Sequence, residues 1–177
     1  SRRTLTGPLL ESFCWIPHVL PGILLSLGVL WLFLATPLRF FLYGSVWGIA
    51  VALILADSPV TTQAFKAGLL QLGADLEEAA RVSGASWRYT YRRVLLPLLA
   101  PIAAAVGLMN FGSALTSIST PVLLYSHQSR PLAILLLEYS FTGELERAAA
   151  LGLLITVIIG VMMLVGRKLG LQLAGSE

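Results

Sequence analysis

Charge is scarce in this sequence, since only 12% of its 177 residues are Asp, Glu, Lys or Arg, whereas soluble domains carry about 25%. It also has one cysteine and two histidines. An internal disulfide is therefore excluded, and no Cys/His cluster has metal-ligand spacing. The net charge of +3 comes without a basic stripe on a soluble face, so we predict no nucleic-acid partner. We also predict no metal and no cofactor.

Long charge-free runs take the place of the missing charge, and 56% of the residues are hydrophobic. A helix rises about 1.5 Å per residue and needs about 20 apolar residues to cross the hydrocarbon core. Four runs approach this length: Ile16 to Leu38, Phe40 to Ala56, Val94 to about Thr116, and Ala148 to Gly166. The sequence thus predicts an all-α fold, a polytopic membrane helix bundle with about four transmembrane helices.

Two boundaries in this pattern need interpretation. Asp57 and Pro59 follow the short second run, and we expect its helix to continue past a proline kink toward Leu70. Asp57 is either a functional group or a solvated carboxylate. The stretch from 129 to 147 is interrupted by Glu138 and Gly143, so we predict a surface helix there. Close helix contacts are expected at three glycines: Gly22, Gly28 and Gly160.

The distribution of basic residues predicts the orientation, because Lys and Arg are retained on the cytoplasmic side. With four spans, both ends of the chain and the 57–93 loop share one side. That side carries nine of the twelve basic residues: Arg2, Arg3, Lys66, Arg81, Arg88, Arg92, Arg93, Arg167 and Lys168. We therefore expect the loop and the N- and C-termini of this segment to be cytoplasmic.

A polar segment at about 75–97 lies in that loop. Its carboxylates Asp75, Glu77 and Glu78 suit a helix N-terminus, and Gly84 suits the left-handed residue that ends a helix. A second short helix from about Ser86 would carry arginines among aromatic residues, a combination typical of the lipid headgroup level. These residues leave two interpretations open: a helical hairpin on the inner leaflet, or a docking element for a soluble partner.

The spacing within this segment resembles a known motif. Glu78-Ala79-Ala80, three residues, Gly84, nine residues, Val94, one residue and Leu96-Pro97 resemble the EAA loop of bacterial ABC importer permeases. Only Val94, where isoleucine is common, departs from the pattern. The resemblance extends over most of the chain and is strongest to the ferric iron, thiamine and polyamine type, above all the ferric iron branch.

The resemblance implies an architecture and a set of partners. Residues 1–177 would form a single permease domain of the type I importer kind, supplying the last four spans of a six-span half, with the first two upstream. The second half would be fused or be another copy. The expected partners are cytoplasmic ATP-binding subunits, a periplasmic or extracellular solute-binding protein and membrane lipid, in the bacterial inner membrane.

The resemblance also implies a mechanism, with ferric iron as a candidate solute. The loop would form a coupling helix in a groove of the ATPase, with Glu78 as polar anchor, Ala79 and Ala80 as the close-packing face and Gly84 as the turn. Val94, Leu96 and Pro97 complete the motif at the start of the third span. The chain has no GxxxxGK[ST] phosphate loop, so we predict a non-catalytic subunit whose partner hydrolyses ATP.

Polar residues near the far end of the third span are candidates for the transport path. They are Asn110, Ser113, Thr116 and Ser117, followed by Ser119 and Thr120. Polar side chains in spans face a cavity or another helix, and small hydroxyl residues also serve ordinary helix packing, so both interpretations stay open. Iron-type relatives often carry an acidic residue near Ser117, and its absence here weighs against a cation.

Two other classes of protein compete with the permease. A passive channel or membrane scaffold would explain the hydrophobicity but not the spaced motif. An intramembrane enzyme would need a nucleophile with a base, or paired acids, inside the spans, and the sequence offers no recognised arrangement. Co-purification discriminates between these classes, because only the permease should retain an ATPase.

Overall fold

The computed structural model describes residues 19–71 and 86–168, and within these ranges all the regular structure is helical. We label the main helices α1 (Gly22–Ala35), α2 (Val46–Gln71), α3 (Leu96–Thr116), α4 (Leu132–Phe141) and α5 (Leu145–Lys168). Shorter turns lie between them: Arg39–Leu42, Trp87–Thr90, a π-helical turn Tyr91–Leu95 and a 3-10 turn Pro121–Leu123. The predicted all-helical fold class is confirmed.

Three helical stretches of the described chain are long and apolar enough to cross a membrane. They are Val46–Leu70 with 25 residues, Arg88–Thr116 with 29 and Leu145–Lys168 with 24. They contain the predicted third and fourth spans, and the first of them covers the predicted second span only from Val46 onward. The predicted start at Phe40 is wrong, because a turn with the left-handed Gly44 (φ +68°) separates the short helix Arg39–Leu42 from α2. The expected continuation of the second span toward Leu70 is confirmed. The run predicted from Ile16 differs, because the described part of it forms the 14-residue helix α1, which is shorter than a bilayer requires.

Proline explains where α1 ends. Thr36 has extended backbone angles, φ −121° and ψ 162°, because the ring of Pro37 disfavours a helical conformation in the residue before it. The Thr36 hydroxyl donates a hydrogen bond of 2.8 Å to the Leu32 carbonyl in the last turn. The predicted first span is thus interrupted three residues before its expected end at Leu38.

Pro59 lies inside α2, where the sequence predicted a kink. A proline has no N–H to donate to the carbonyl four residues earlier, which here belongs to Leu55. The Ser58 hydroxyl donates to that carbonyl at 2.8 Å instead. Such replacement by a neighbouring hydroxyl is one reason that proline is tolerated in membrane helices, and it explains why α2 continues to Gln71.

A glycine turn separates α4 from α5. Gly143 has φ +78°, and the Glu144 N–H donates to the Tyr139 carbonyl at 3.0 Å. A left-handed residue and a bond of this span form a Schellman motif, which ends a helix. The predicted helix in 129–147 is present as α4, and the predicted break at Gly143 is confirmed.

The described residues divide into two compact units, 19–59 with 112–159, and 60–71 and 86–111 with 160–168. The first unit has a buried apolar core in which α1, α2 and the 3-10 turn meet. Phe33 and Leu124 are each 1% exposed there, and the other buried members are Val29, Ile49 and Ala52. Burial of this kind is the main source of packing stability away from lipid.

In the second unit, the end of α2 packs against the start of α3. Gly68 is buried, and a Cβ at this position would meet the end of the Ile102 side chain. Asn110 and Thr61 meet farther along the same two helices, with a hydrogen bond of 2.8 Å. The two contacts are separated by seven residues on α2 and by eight on α3, so the helices run antiparallel with small residues at their interface.

Glycine packing agrees with the sequence prediction at only one of three positions. A Cβ at Gly22 would meet the hydroxyl of Ser119, as expected for a close contact. Around Gly28 and Gly160, no described atom lies within 4 Å of such a Cβ, so the prediction is wrong there within residues 19–71 and 86–168. Gly48, which we did not predict, is buried with its Cβ position against the Leu42 backbone and 3.2 Å from the Phe33 ring.

Candidate coupling segment and transport-path residues

The second half of the segment at 75–97 begins a helix at Ser86, as predicted. The Ser86 hydroxyl accepts from the Tyr89 N–H at 3.4 Å, and its carbonyl accepts from the N–H groups of Tyr89 and Thr90 at 2.9 and 3.0 Å. Serine is favoured at this position because its side chain satisfies a backbone donor that the first turn leaves unpaired. The Trp87–Thr90 turn thus begins where it does because of the hydrogen bonds that Ser86 accepts.

A π-helical turn then joins this short helix to α3. Residues 91–95 form the turn, and the Leu96 N–H donates to the Tyr91 carbonyl. The helical stretch is therefore continuous from Arg88 to Thr116. The sequence predicted Pro97 at the start of the third span, but Pro97 lies inside this longer stretch. A proline ring needs room in the preceding turn, and the wider π turn lies directly before Pro97. Single π turns are frequent at functional sites.

Most side chains around this turn face outward. Tyr89 is 58% exposed, Tyr91 42% and Leu96 48%. Pro97 is exposed as well, Val94 is half-buried, and the three arginines of the segment, Arg88, Arg92 and Arg93, are all exposed. This part of the second unit is therefore available to a partner or to lipid.

The other motif residues, Glu78, Ala79, Ala80 and Gly84, lie outside the described residues. Their docking geometry stays a prediction. Of the seven residues predicted for ATPase coupling, the structure describes Val94, Leu96 and Pro97. Val94 lies in the π-helical turn, and Leu96 and Pro97 are the first two residues of α3.

Asn110, the first transport-path candidate, contacts a neighbouring helix. Its side-chain amide donates to the Thr61 hydroxyl at 2.8 Å, in a half-buried position. This contact supports the packing interpretation for Asn110. Sequence reasoning missed Thr61, although a hydroxyl two residues after the proline of α2 was a usable signal.

The remaining candidates lie at the end of α3 in the first unit. Thr116 is exposed, and its hydroxyl donates to the carbonyls of Gly112 and Ser113, both at 3.2 Å. Ser113 is exposed and Ser117 is half-buried. The Ser117 N–H donates to the Ser113 carbonyl at 2.9 Å, just beyond the last residue of α3. Thr116 is thus satisfied within its own helix, and its hydroxyl can still accept a hydrogen bond.

The first unit also contains buried hydroxyl side chains. Thr120 is 4% exposed and Ser26 is fully buried. The Gly22 position lies against the hydroxyls of Ser119 and Thr120, one turn before Ser26 on α1. No hydrogen-bond partner of the Ser26 hydroxyl is present among the described residues. The glycine therefore allows the chain after α3 to approach the start of α1.

Sequence reasoning also missed a contact between two distant loops, which we call the serine latch: Gly44, Ser126 and Ser129. The Gly44 carbonyl accepts from both hydroxyls, at 2.6 Å from Ser126 and 2.9 Å from Ser129. The Ser129 hydroxyl also accepts from the Ser126 N–H at 3.0 Å. Gly44 has φ +68°, a conformation that glycine adopts without strain. The latch fastens the loop after Arg39–Leu42 to the turn before α4.

An ionic network adjoins the latch in sequence. Arg130 donates to Glu138 of α4 at 2.9 Å, and the Tyr125 hydroxyl donates to the other oxygen of that carboxylate at 3.3 Å. Arg130 also contacts the His127 ring. The side chains of the Arg130–Glu138 pair are 32% and 34% exposed, so the network is partly shielded from solvent, and it orients α4 against the preceding turn.

Comparison with known proteins places these features in a wider context. The profile of the family described as "Binding-protein-dependent transport system inner membrane component" matches residues 1–170. The "Probable ABC transporter permease protein y4fN" of Sinorhizobium fredii is 29% identical over 90% of this chain, which is 29% of that protein. The "Molybdate/tungstate transport system permease protein WtpB" of Thermococcus kodakarensis is 28% identical over 68% of this chain and 51% of its own length.

A third relative is named for a metal ion. The "Fe(3+)-transport system permease protein FbpB 2" of Haemophilus influenzae is 21% identical over 90% of this chain, which is 31% of that protein. This chain thus spans between 29% and 51% of the length of these three relatives. All three names describe a transporter permease, and the two that give a solute differ in it.

Proposed function

The chain belongs to the family of binding-protein-dependent transport system inner membrane components, and on that premise we propose that it is a permease subunit of an ATP-driven ABC importer. It forms part of the solute path in a bacterial inner membrane, with the two ends of this segment on the cytoplasmic side. The observation that carries the proposal is the family match over residues 1–170. The three spanning-length helices support a multi-pass membrane protein.

The partners follow from the same premise. A solute-binding protein delivers the solute, cytoplasmic ATP-binding subunits hydrolyse ATP, and a second permease half, fused or separate, completes the path. Within their most apolar windows, the stretches 88–116 and 145–168 are only 6% and 11% buried. Such apolar surface is suited to lipid and to a second half. The chain itself acts without catalysis.

Coupling to the ATPase is proposed for the segment at 75–97. Glu78 anchors the docking helix, Ala79 and Ala80 allow the partner's groove to approach closely, and Gly84 ends the helix. The continuous stretch from Arg88 through the π turn into α3 supports this role, because a movement of the segment would be transmitted along one unbroken helix. A passive channel or scaffold would not require a continuous helix between a cytoplasmic segment and a transmembrane span.

Retention of the ATPase on the purified permease tests the coupling. Glu78→Lys reverses a charge at the proposed contact, and losing a buried charged contact costs about 2–5 kcal/mol. The variant should therefore lose the ATPase and the ATP hydrolysis that depends on the permease. Glu146→Lys is the matched control, because Glu146 is exposed in the first turn of α5. Equal ATPase retention by Glu78→Lys and the parent would exclude the coupling role.

For the solute we propose ferric iron, supported by the sequence resemblance and by the name of the Haemophilus relative. A second candidate is an oxyanion such as molybdate, named for the Thermococcus relative. The candidate path residues favour that second choice, because Asn110, Ser113, Thr116 and Ser117 include no carboxylate for a cation. Uptake of radiolabelled iron and molybdate by cells that express the complete transporter decides between them.

A further inference from the structure

Three exposed arginines precede α3, and we call Arg88, Arg92 and Arg93 the basic collar. We propose that the basic collar binds the phosphate headgroups of anionic phospholipids and holds the start of the α3 stretch at the membrane surface. This inference goes beyond the proposed function, because it requires neither a particular solute nor an ATPase.

The length of the helix places the collar at headgroup level. The stretch Arg88–Thr116 has 29 residues, or about 44 Å at 1.5 Å per residue, whereas the hydrocarbon core is about 30 Å thick. The charge-free part, 94–116, is alone sufficient to cross that core. The six residues before it therefore extend into the headgroup region, where phosphates are within reach of long side chains.

The neighbouring side chains suit the same level. Tyr89 and Tyr91, which lie between Arg88 and Arg92 in the sequence, are 58% and 42% exposed. Tyrosine is enriched at membrane interfaces because its ring is apolar and its hydroxyl is polar. Thr90, between them, is 6% exposed and donates to the Ser86 carbonyl at 3.3 Å. The segment thus has one residue turned inward and both aromatics and arginines turned outward.

The charge of the collar is available for phosphate. Within residues 19–71 and 86–168, no acidic side chain pairs with Arg88, Arg92 or Arg93, whereas Arg130 and Arg147 each pair with a glutamate. Arginine binds phosphate through two parallel N–H donors. The cytoplasmic leaflet has a negative surface potential that attracts basic residues next to a transmembrane helix, which agrees with the orientation proposed above.

Native mass spectrometry of the purified chain, titrated with phosphatidylglycerol or phosphatidylcholine, tests the proposal. The parent protein should prefer phosphatidylglycerol, and Arg88→Gln with Arg92→Gln should weaken that binding by about 25-fold, at about 5-fold for each basic residue near the surface. The preference of the parent should also fall between 0.1 and 1 M salt, because the Debye length falls from about 10 to about 3 Å.

The matched control removes two positive charges elsewhere: Arg39→Gln with Arg147→Gln should keep the preference. Equal binding of both lipids by the parent, or equal losses in collar and control variants, would overturn the proposal. A collar variant that binds phosphatidylglycerol normally but loses the ATPase would overturn it too, and would assign the arginines to the protein partner. Should the collar variant not give a monodisperse protein, the salt series on the parent decides.

Discussion

Removing the hydroxyls of the serine latch should destabilise the protein by unequal and non-additive amounts. Ser126→Ala removes the hydroxyl that donates to the Gly44 carbonyl and lies 3.1 Å from the Ser129 hydroxyl, and it should cost about 0.5–1.5 kcal/mol. Ser129→Ala removes that same hydroxyl contact together with two further bonds, one to the Gly44 carbonyl and one from the Ser126 N–H, and it should cost about 1–3 kcal/mol. Each single variant leaves that carbonyl one hydroxyl donor.

The double variant leaves the Gly44 carbonyl without either hydroxyl. Because an unsatisfied backbone group costs about 1–3 kcal/mol when water does not replace the donor, the double variant should lose more stability than the sum of the single variants. Such coupling is expected between residues that share one partner. The free energy of unfolding of the parent, the two single variants and the double variant, measured by SDS titration in mixed micelles, completes this double-mutant cycle.

Ser140→Ala is the control for the latch, because the Ser140 hydroxyl is exposed and donates to the Leu136 carbonyl of its own helix at 2.8 Å. It should change the free energy of unfolding by less than about 0.5 kcal/mol. The reasoning would be refuted if Ser129→Ala were as stable as the control, or if the double variant lost only the sum of the single losses.

Two further predictions use other parts of the described chain. Gly48→Ala should abolish the yield of monodisperse protein, because the added Cβ would collide with the backbone of the preceding turn. Gly28→Ala is the control and should leave the yield unchanged, because the space around Gly28 is open. Equal yields of the two variants would contradict this account of Gly48. Cysteine labelling in intact cells tests the orientation: Gln128→Cys, exposed in the turn before α4, should react from outside, and Ser86→Cys should react only after the cytoplasm is opened. The reverse pattern would invert the topology.

The sequence by itself determined the features that depend on local chemistry. Runs of apolar residues predicted the helices, since a helix satisfies its own backbone in an apolar environment and needs a fixed number of residues to cross it. Pro59 and Gly143 predicted a kink and a break, and Ser86 predicted the start of a helix, because each acts on the backbone within one turn. The spacing from Glu78 to Pro97 identified the family for the same reason, as it is a property of one short segment.

The tertiary structure decided the contacts between residues that are far apart in sequence. Ser126 and Ser129 reach a carbonyl 82 and 85 residues away, and Asn110 reaches a hydroxyl 49 residues away. Nothing in the local sequence specifies these partners, because many serines and threonines could serve equally well. The close approach of other residues to Gly48 could not be predicted for the same reason. Gly28 is also a glycine within a helix of the sequence pattern, yet the space around it is open. Each outcome depends on which helices pack together, and that follows from the fit of whole surfaces, which no single residue encodes.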